Sequence, residues 1–261
     1  MRLFDSHCHL DFPEFDADRD TILRHCRELG ITGIVIPGVT QSGWARLCSL
    51  CATHRSLLHP ALGLHPLFLE QHRESDLGKL AEEVRNRHPV AIGEIGLDYY
   101  VTGADRERQR DYFEAQLAIA QDAGLPVILH VRKAHDMVLH ILRRYRLKGG
   151  IAHAFNGSRQ QAERYLELGF KLGFGGAVTY PRAKKLRRLV QELPLEGMVL
   201  ETDAPDMTPV THRGQRNQPD YLPEILEVVA RLRQDSPDRI AAQTTENAIA
   251  LFALRGDGTH R

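Results

Sequence analysis

The sequence predicts an α/β fold: a (β/α)₈ TIM barrel with an additional C-terminal helix, running as one unit over residues 1–261. Three observations predict it. Eight short apolar runs read as strands, most are followed by residues with helical periodicity, and several of those helices stop at a glycine. The units recur every roughly 20 to 35 residues with no Pro- or Ser-rich linker, which suits a closed barrel better than an open doubly wound sheet.

The first run is Leu3–His9, and the helix after it stops at Gly30. The second is Gly33–Val39; Cys48 and Cys51 fall in the helix that follows. The third run is Leu58–Leu64 and the fourth Val90–Leu97. Arg106–Ala123 comes next as a helix, with Phe113, Leu117 and Ala120 on one face and Gly124 at its end. The fifth run is Pro126–Val131 and the sixth Gly150–Phe155. Arg159–Leu168 repeats the helical pattern through Ala162, Tyr165 and Leu166, and stops at Gly169. Phe170–Phe174 and Met198–Asp203 are the last two strands. Two helices close the chain, Leu222–Leu232 and Pro237–Leu251, and Arg255–Arg261 reads as a frayed tail.

Composition narrows the function classes. Lys plus Arg equals Asp plus Glu at 34 each, so no global field attracts polyanions and any nucleic-acid contact must be local. The strongest local basic cluster is Arg182, Lys184, Lys185, Arg187 and Arg188, read either as a solvated helix face or as an electrostatic guide for nucleic acid. No secretory leader precedes the first strand, and no apolar run approaches the roughly 20 residues that span a bilayer, so the expected setting is cytoplasmic, off the membrane and monomeric. Four cysteines, Cys8, Cys26, Cys48 and Cys51, are too few for a disulfide framework, and the Cys48–Cys51 pair lacks a second CxxC.

The chemistry sits at strand ends. His7 and His9 are two residues apart, so on a strand they face one side and can share a cation, while Cys8 faces away into packing. Four later runs end in Glu94, His130, His153 and Asp203. In a barrel these five ends meet at the carboxyl-terminal mouth, where active sites of this fold are built. Imidazole and carboxylate without thiolate suit two divalent cations drawn from zinc, manganese, magnesium, cobalt or nickel. In the expected division His7, His9 and Asp203 hold one, His130 and His153 the other, and Glu94 bridges. Two cations about 4 Å apart generate a nucleophile from water and offset charge on opposing oxygens, which makes hydrolysis the natural reaction.

Other groups share that face. His65 is read as a donor to an anionic substrate, and Arg132 as a forked donor for phosphate. Glu201 shares the side of Asp203 and lies deeper, where it orients a ligand or shuttles a proton. Asp203 is the expected proton-handling carboxylate. His54, His59, His72, His88, His135 and His140 lack converging partners and are assigned to surface or packing.

Four segments together carry a resemblance: Phe4–Asp11 with its His7-Cys8-His9, Gly93–Tyr99 with Glu94, Pro126–Arg132 with His130, and Glu201-Thr202-Asp203-Ala204-Pro205. The chain resembles the TatD family of metal-dependent hydrolases, within the wider amidohydrolase-like barrels, over nearly its full length. The resemblance implies a two-metal site on His7, His9, Glu94, His130, His153 and Asp203, and DNase activity, often 3′ to 5′ exonucleolytic. Asn156 departs from the serine common at its position. Tyr180-Pro181-Arg182-Ala183 and Asp206-Met207 resemble one bacterial branch.

The expected function is therefore phosphodiester hydrolysis at DNA ends, with DNA or another nucleic acid as a transient partner. The same activated water could attack an ester or amide carbonyl, and the resemblance implies D-aminoacyl-tRNA deacylation, or another ester or amide hydrolysis, as the alternative. A metal-stabilised barrel that only binds a partner is the non-enzymatic reading.

Overall fold

The computed structural model describes residues 1–254, so the expectation for the Arg255–Arg261 tail lies outside the described residues. Eight parallel strands form one sheet in sequence order: β1 (Leu3–Asp5), β2 (Ile31–Pro37), β3 (Leu58–Leu62), β4 (Ala91–Asp98), β5 (Val127–Arg132), β6 (Gly150–Ala152), β7 (Phe170–Phe174) and β8 (Met198–Leu200). Between them run α1 (Arg19–Glu28), α2 (Trp44–Thr53), α3 (Glu74–Arg87), α4 (Arg106–Ala123), α5 (His135–Leu142), α6 (Arg159–Glu167) and α7 (Lys184–Glu192). After β8 come α8 (Leu222–Arg233) and the additional helix α9 (Pro237–Leu251). Among the described residues no helix is long and apolar enough to cross a membrane.

Local chemistry sets the boundaries. Asp105 caps α4 by accepting from the Arg108 N–H, and the helix ends where Gly124 turns to a φ of 63°. Ser158 and Gln161 form a capping box at the start of α6, and Ser236 followed by Pro237 opens α9. All four cysteines are buried and unpaired; Cys48 and Cys51 pack within α2, and burial pushes the Cys51 thiol above its ordinary range.

Four expected strands are shorter than their apolar runs, the third ending at Leu62 rather than Leu64. β1 ends at Asp5 rather than His9, β6 at Ala152 rather than Phe155, and β8 at Leu200 rather than Asp203. Positive φ at Ala154 and Asp203, 43° and 58°, keeps extended backbone from running on to Phe155 or through Asp203. His7, His9, His153 and Asp203 thus lie on loops just beyond the strands, while Glu94 and His130 stay on β4 and β5.

The core has two layers. The larger fills the space between strands and helices. The smaller takes Phe4, Val35, Ala61, Ala91, Ile128, Ile151 and Val199 from seven strands and meets Ala248 and Phe252 at α9. The additional helix therefore seals the apolar interior beneath the mouth.

The barrel is nearly closed. Between β8 and β1 the backbone N–H and hydroxyl of Ser6 both reach the Leu200 carbonyl at 3.0 Å. Asp5 completes the seam. Its Oδ1 accepts from the backbone N–H groups of Thr202 and His7, and its Oδ2 lies 2.5 Å from the Thr202 hydroxyl.

Full burial pushes the Asp5 carboxyl from 3.8 up to about 7, against the opposing pull of the Thr202 bonds. Because the folded group holds its proton longer than the unfolded one, its contribution is complete below about pH 4. It is lost as pH rises toward 7, at up to about 1.4 kcal/mol per pH unit. Asp5→Asn keeps the acceptor and removes the titration. Thermal melts of metal-free protein should then fall less steeply between pH 4 and 7 than wild type, and identical slopes would exclude Asp5 as their source.

Candidate metal centre

Glu94, on β4, is the hub of the mouth, 2 % exposed, with its two oxygens facing different sets of imidazoles. Oε2 lies 3.2 Å from His7 Nε2 and 3.3 Å from His9 Nε2, and these two nitrogens are 3.2 Å apart. Asp203 Oδ1 completes this group at 3.5 Å from His7 Nε2 and 3.9 Å from His9 Nε2. Oε1 lies 3.1 Å from His130 Nδ1, 3.2 Å from His65 Nε2 and 3.5 Å from His153 Nε2. His153 stands at the border of the two groups, its ring stacked on His7 with centroids 3.8 Å apart.

These separations fit a cation better than they fit hydrogen bonds. Ligand atoms about 2.1 Å from a tetrahedral centre stand about 3.4 Å from one another. His7 and His9 turn their Nε2 atoms toward each other and toward Glu94 Oε2, and their outer Nδ1 atoms are buried without partners. His7, His9 and Glu94 meet as one donor group, His7, His153 and Asp203 as a second, and His65, Glu94 and His130 as a third. The donors are imidazoles and carboxylates, the set that suits divalent zinc, manganese or related ions.

Charge tells the same story. Burial would push Glu94 up, yet His65, His7 and His153 hold it well below the carboxylate range. Burial pulls His153 down, but Asp203, Glu201 and Glu94 overcome it and hold it at about 10. Asp203 is raised to about 6 by burial, partly offset by His153 and His9. Buried carboxylates that keep imidazoles protonated are carboxylates that a dication would neutralise.

The expected substrate groups also reach the mouth. The backbone N–H of Leu67 donates to His65 Nδ1 at 3.1 Å, so the neutral ring carries its proton on Nε2, the atom aimed at Glu94. Burial lowers His65 to about 4, which keeps it neutral. In this tautomer His65 turns a hydrogen rather than a lone pair toward Glu94. Arg132, at the end of β5, lays its guanidinium 3.8 Å from the Tyr100 ring centroid, at the edge of a cavity of about 470 Å³ that also takes in His130, His153 and Asp203.

Glu201 does not line that cavity. It is fully buried; its Oε1 accepts from the Ala154 N–H at 2.6 Å and lies 3.3 Å from His153 Nδ1, so it holds His153 from behind. The space it occupies exists because residue 173 is glycine: a Cβ there would stand 2.1 Å from Glu201 Oε2.

Two residues matter that the sequence reading gave no part in the site: Asp98, and His72, which it assigned to surface or packing. Asp98 is fully buried, and its Oδ2 accepts from His130 Nε2 at 2.9 Å while its Oδ1 accepts from the Tyr100 N–H. That bond puts the His130 proton on Nε2 and leaves the Nδ1 lone pair facing the cluster. Alternation along β4 puts Asp98 on the side of Glu94, which is the signal that could have found it. His72 is the second: its Nε2 donates to the His65 carbonyl at 2.9 Å and steadies the loop that presents that ring.

The comparisons with known proteins agree. The TatD related DNase family matches residues 4–253. An Escherichia coli protein described as uncharacterized metal-dependent hydrolase YjjV is 41 % identical over 254 residues, covering 96 % of this chain and 98 % of its own length. The crystal structure of the E. coli YjjV TatD homolog superposes with a TM-score of 0.94 at 40 % identity, over 97 % of this chain and 99 % of that one. An Erwinia amylovora protein named 3′-5′ ssDNA/RNA exonuclease TatD is 36 % identical over 259 residues, covering 97 % of this chain and all of its own. Site geometry, fold and sequence converge: the chain belongs to the TatD-related DNase family and is a metal-dependent hydrolase.

Proposed function

We propose that this hydrolase releases nucleotides from the 3′ ends of single-stranded DNA, using two divalent cations. The observation that carries the reading is Glu94, whose two oxygens face separate donor groups. His7, His9 and Asp203 serve the Oε2 side, and His130 with His153 the Oε1 side. When bound, two such cations supply a nucleophile at neutral pH and offset charge on the phosphate oxygens.

The chain supplies the rest. Arg132 binds phosphate through its fork, held flat by Tyr100. His65 Nε2–H donates to a substrate oxygen. Asp203, at 14 % the more open of the carboxylates facing His7, takes up the proton that leaves the nucleophile. Glu201 positions His153. The name of the Erwinia relative supports the substrate and its polarity. One chain contributes every donor, so the proposed working unit is the monomeric barrel, in the cytoplasm.

Turnover of 3′-labelled single-stranded DNA by metal-loaded protein tests this beside D-aminoacyl-tRNA, with His130→Ala as the contamination control. The expected result is mononucleotide release that the variant reduces to background. Release of amino acid from intact tRNA, with DNA untouched, would replace the nuclease by a deacylase.

A further inference from the structure

The catalytic cavity does not end at the metal centre. It shares Ala177 and Met207 with a second cavity of about 650 Å³ that reaches Tyr180, Arg182 and Gln215. That cavity shares Arg182 and Ala183 with a third, of about 220 Å³, which adds Lys184 and Lys185. The third returns to the first at Asn156 and Leu186. A groove thus leaves the mouth between the loop after β7 and the loop after β8, then turns along the start of α7.

Its chemistry is cationic and aromatic. Arg182 lies over the Tyr180 ring, 5.6 Å from the centroid, and Arg182, Lys184 and Lys185 are all exposed. Lys185 Nζ reaches the Asn156 carbonyl at 3.3 Å, which draws that ammonium over the groove. Among the described residues no carboxylate pairs with these three. Glu192, at the far end of α7, is engaged by Arg159 and Arg188 at 3.1 and 3.8 Å. Arg187 is spent on the Val178 carbonyl at 2.9 Å. The basic run therefore divides, with three members facing the groove and two serving the fold.

The walls are fixed in place. The Tyr180 hydroxyl donates to the Thr208 carbonyl at 3.1 Å, and the Val210 N–H donates to the Thr179 hydroxyl at 2.8 Å, so the two loops are tied across the groove. Met207, 37 % exposed, forms an apolar saddle between the first and second cavities. Unpaired cations along a channel, with an aromatic ring and an apolar saddle among them, are what a single strand needs to lay down phosphates and bases.

We infer that this groove is the track for the body of a single-stranded nucleic acid whose end sits at the metal centre, with Arg182, Lys184 and Lys185 contacting successive phosphates. The inference rests on the phosphodiester reading above and extends it to substrate length. A dinucleotide fills the mouth alone; a decamer also occupies the track.

The test compares kcat/KM for a 3′-labelled dinucleotide and a decamer, in metal-loaded wild type and in Arg182→Ser/Lys184→Ser/Lys185→Ser. These side chains are exposed, and far-ultraviolet circular dichroism checks the fold. Wild type should prefer the decamer by roughly tenfold or more, and the variant should lose that preference through KM. Its log KM against log salt slope for the decamer should also shrink by about 2, from about 0.7 per lost phosphate contact on a single strand. A variant that keeps the full preference, or that loses equally on both lengths, overturns the track while leaving the nuclease intact. Wild type that cleaves neither oligonucleotide overturns both readings.

Discussion

Glu94→Gln is expected to lower turnover by roughly 1,000-fold, about 4 kcal/mol of barrier, and to leave fewer than two cations per chain after dialysis. The change keeps the shape and removes the charge. Each oxygen of Glu94 faces its own imidazoles at 3.1 to 3.5 Å, so an amide presents N–H₂ to one group and a neutral carbonyl to the other. One donor set loses its carboxylate outright and the other loses its negative charge. Metal content by mass spectrometry, read beside turnover, checks it. A Gln variant that keeps two cations and wild-type rate would rule out the proposed bridging role of Glu94.

The second large effect is expected at a residue that never touches substrate. Asp98→Asn should weaken retention of the cation on the Oε1 side of Glu94, and activity with it, by about 10- to 100-fold. The side chain is isosteric, and its oxygen still accepts from Tyr100. Its N–H₂, however, now faces His130 Nε2, where the carboxylate accepts at 2.9 Å. The ring must answer by moving its proton to Nδ1, which closes the lone pair that faces Glu94. Excess metal should restore part of the rate in Asp98→Asn and none in Glu94→Gln. Equal metal affinity in Asp98→Asn and wild type would rule the tautomer argument out.

Barrel and ligand candidates were legible in the sequence because each is a local pattern repeated. β7 runs over Phe170–Phe174, as its apolar run predicts, and Gly124 ends α4 where expected. The proximity of His7 and His9 was legible too, though not for the reason first available. β1 stops at Asp5, and the pair is held instead by the His9 N–H on the Ala204 carbonyl and the Asp203 N–H on the His7 carbonyl, bonds across 195 or more positions of chain. What stayed hidden depends on contacts that no local pattern carries. The tautomer of His65 is set by a backbone N–H at Leu67, and the partition of the basic run is set by Val178, Glu192 and Asn156. Asp98 looked like part of a motif, and only its distance to His130 gives it work.

The slit between β8 and β1 carries a thermodynamic consequence. His7 and His9 stand on one lip and Asp203 on the other, so a cation held by all three would clasp β1 to β8, which the ladder leaves unpaired among the described residues. Closure and occupancy are then linked equilibria, with Asp5, Ser6 and Thr202 holding the seam before any cation adds to it. Free cation at a hundred times its dissociation constant would add about 2.7 kcal/mol to the closed form, and scarcity would withdraw it. On the proposed two-cation reading, free metal would set the lifetime of the closed barrel as well as its rate.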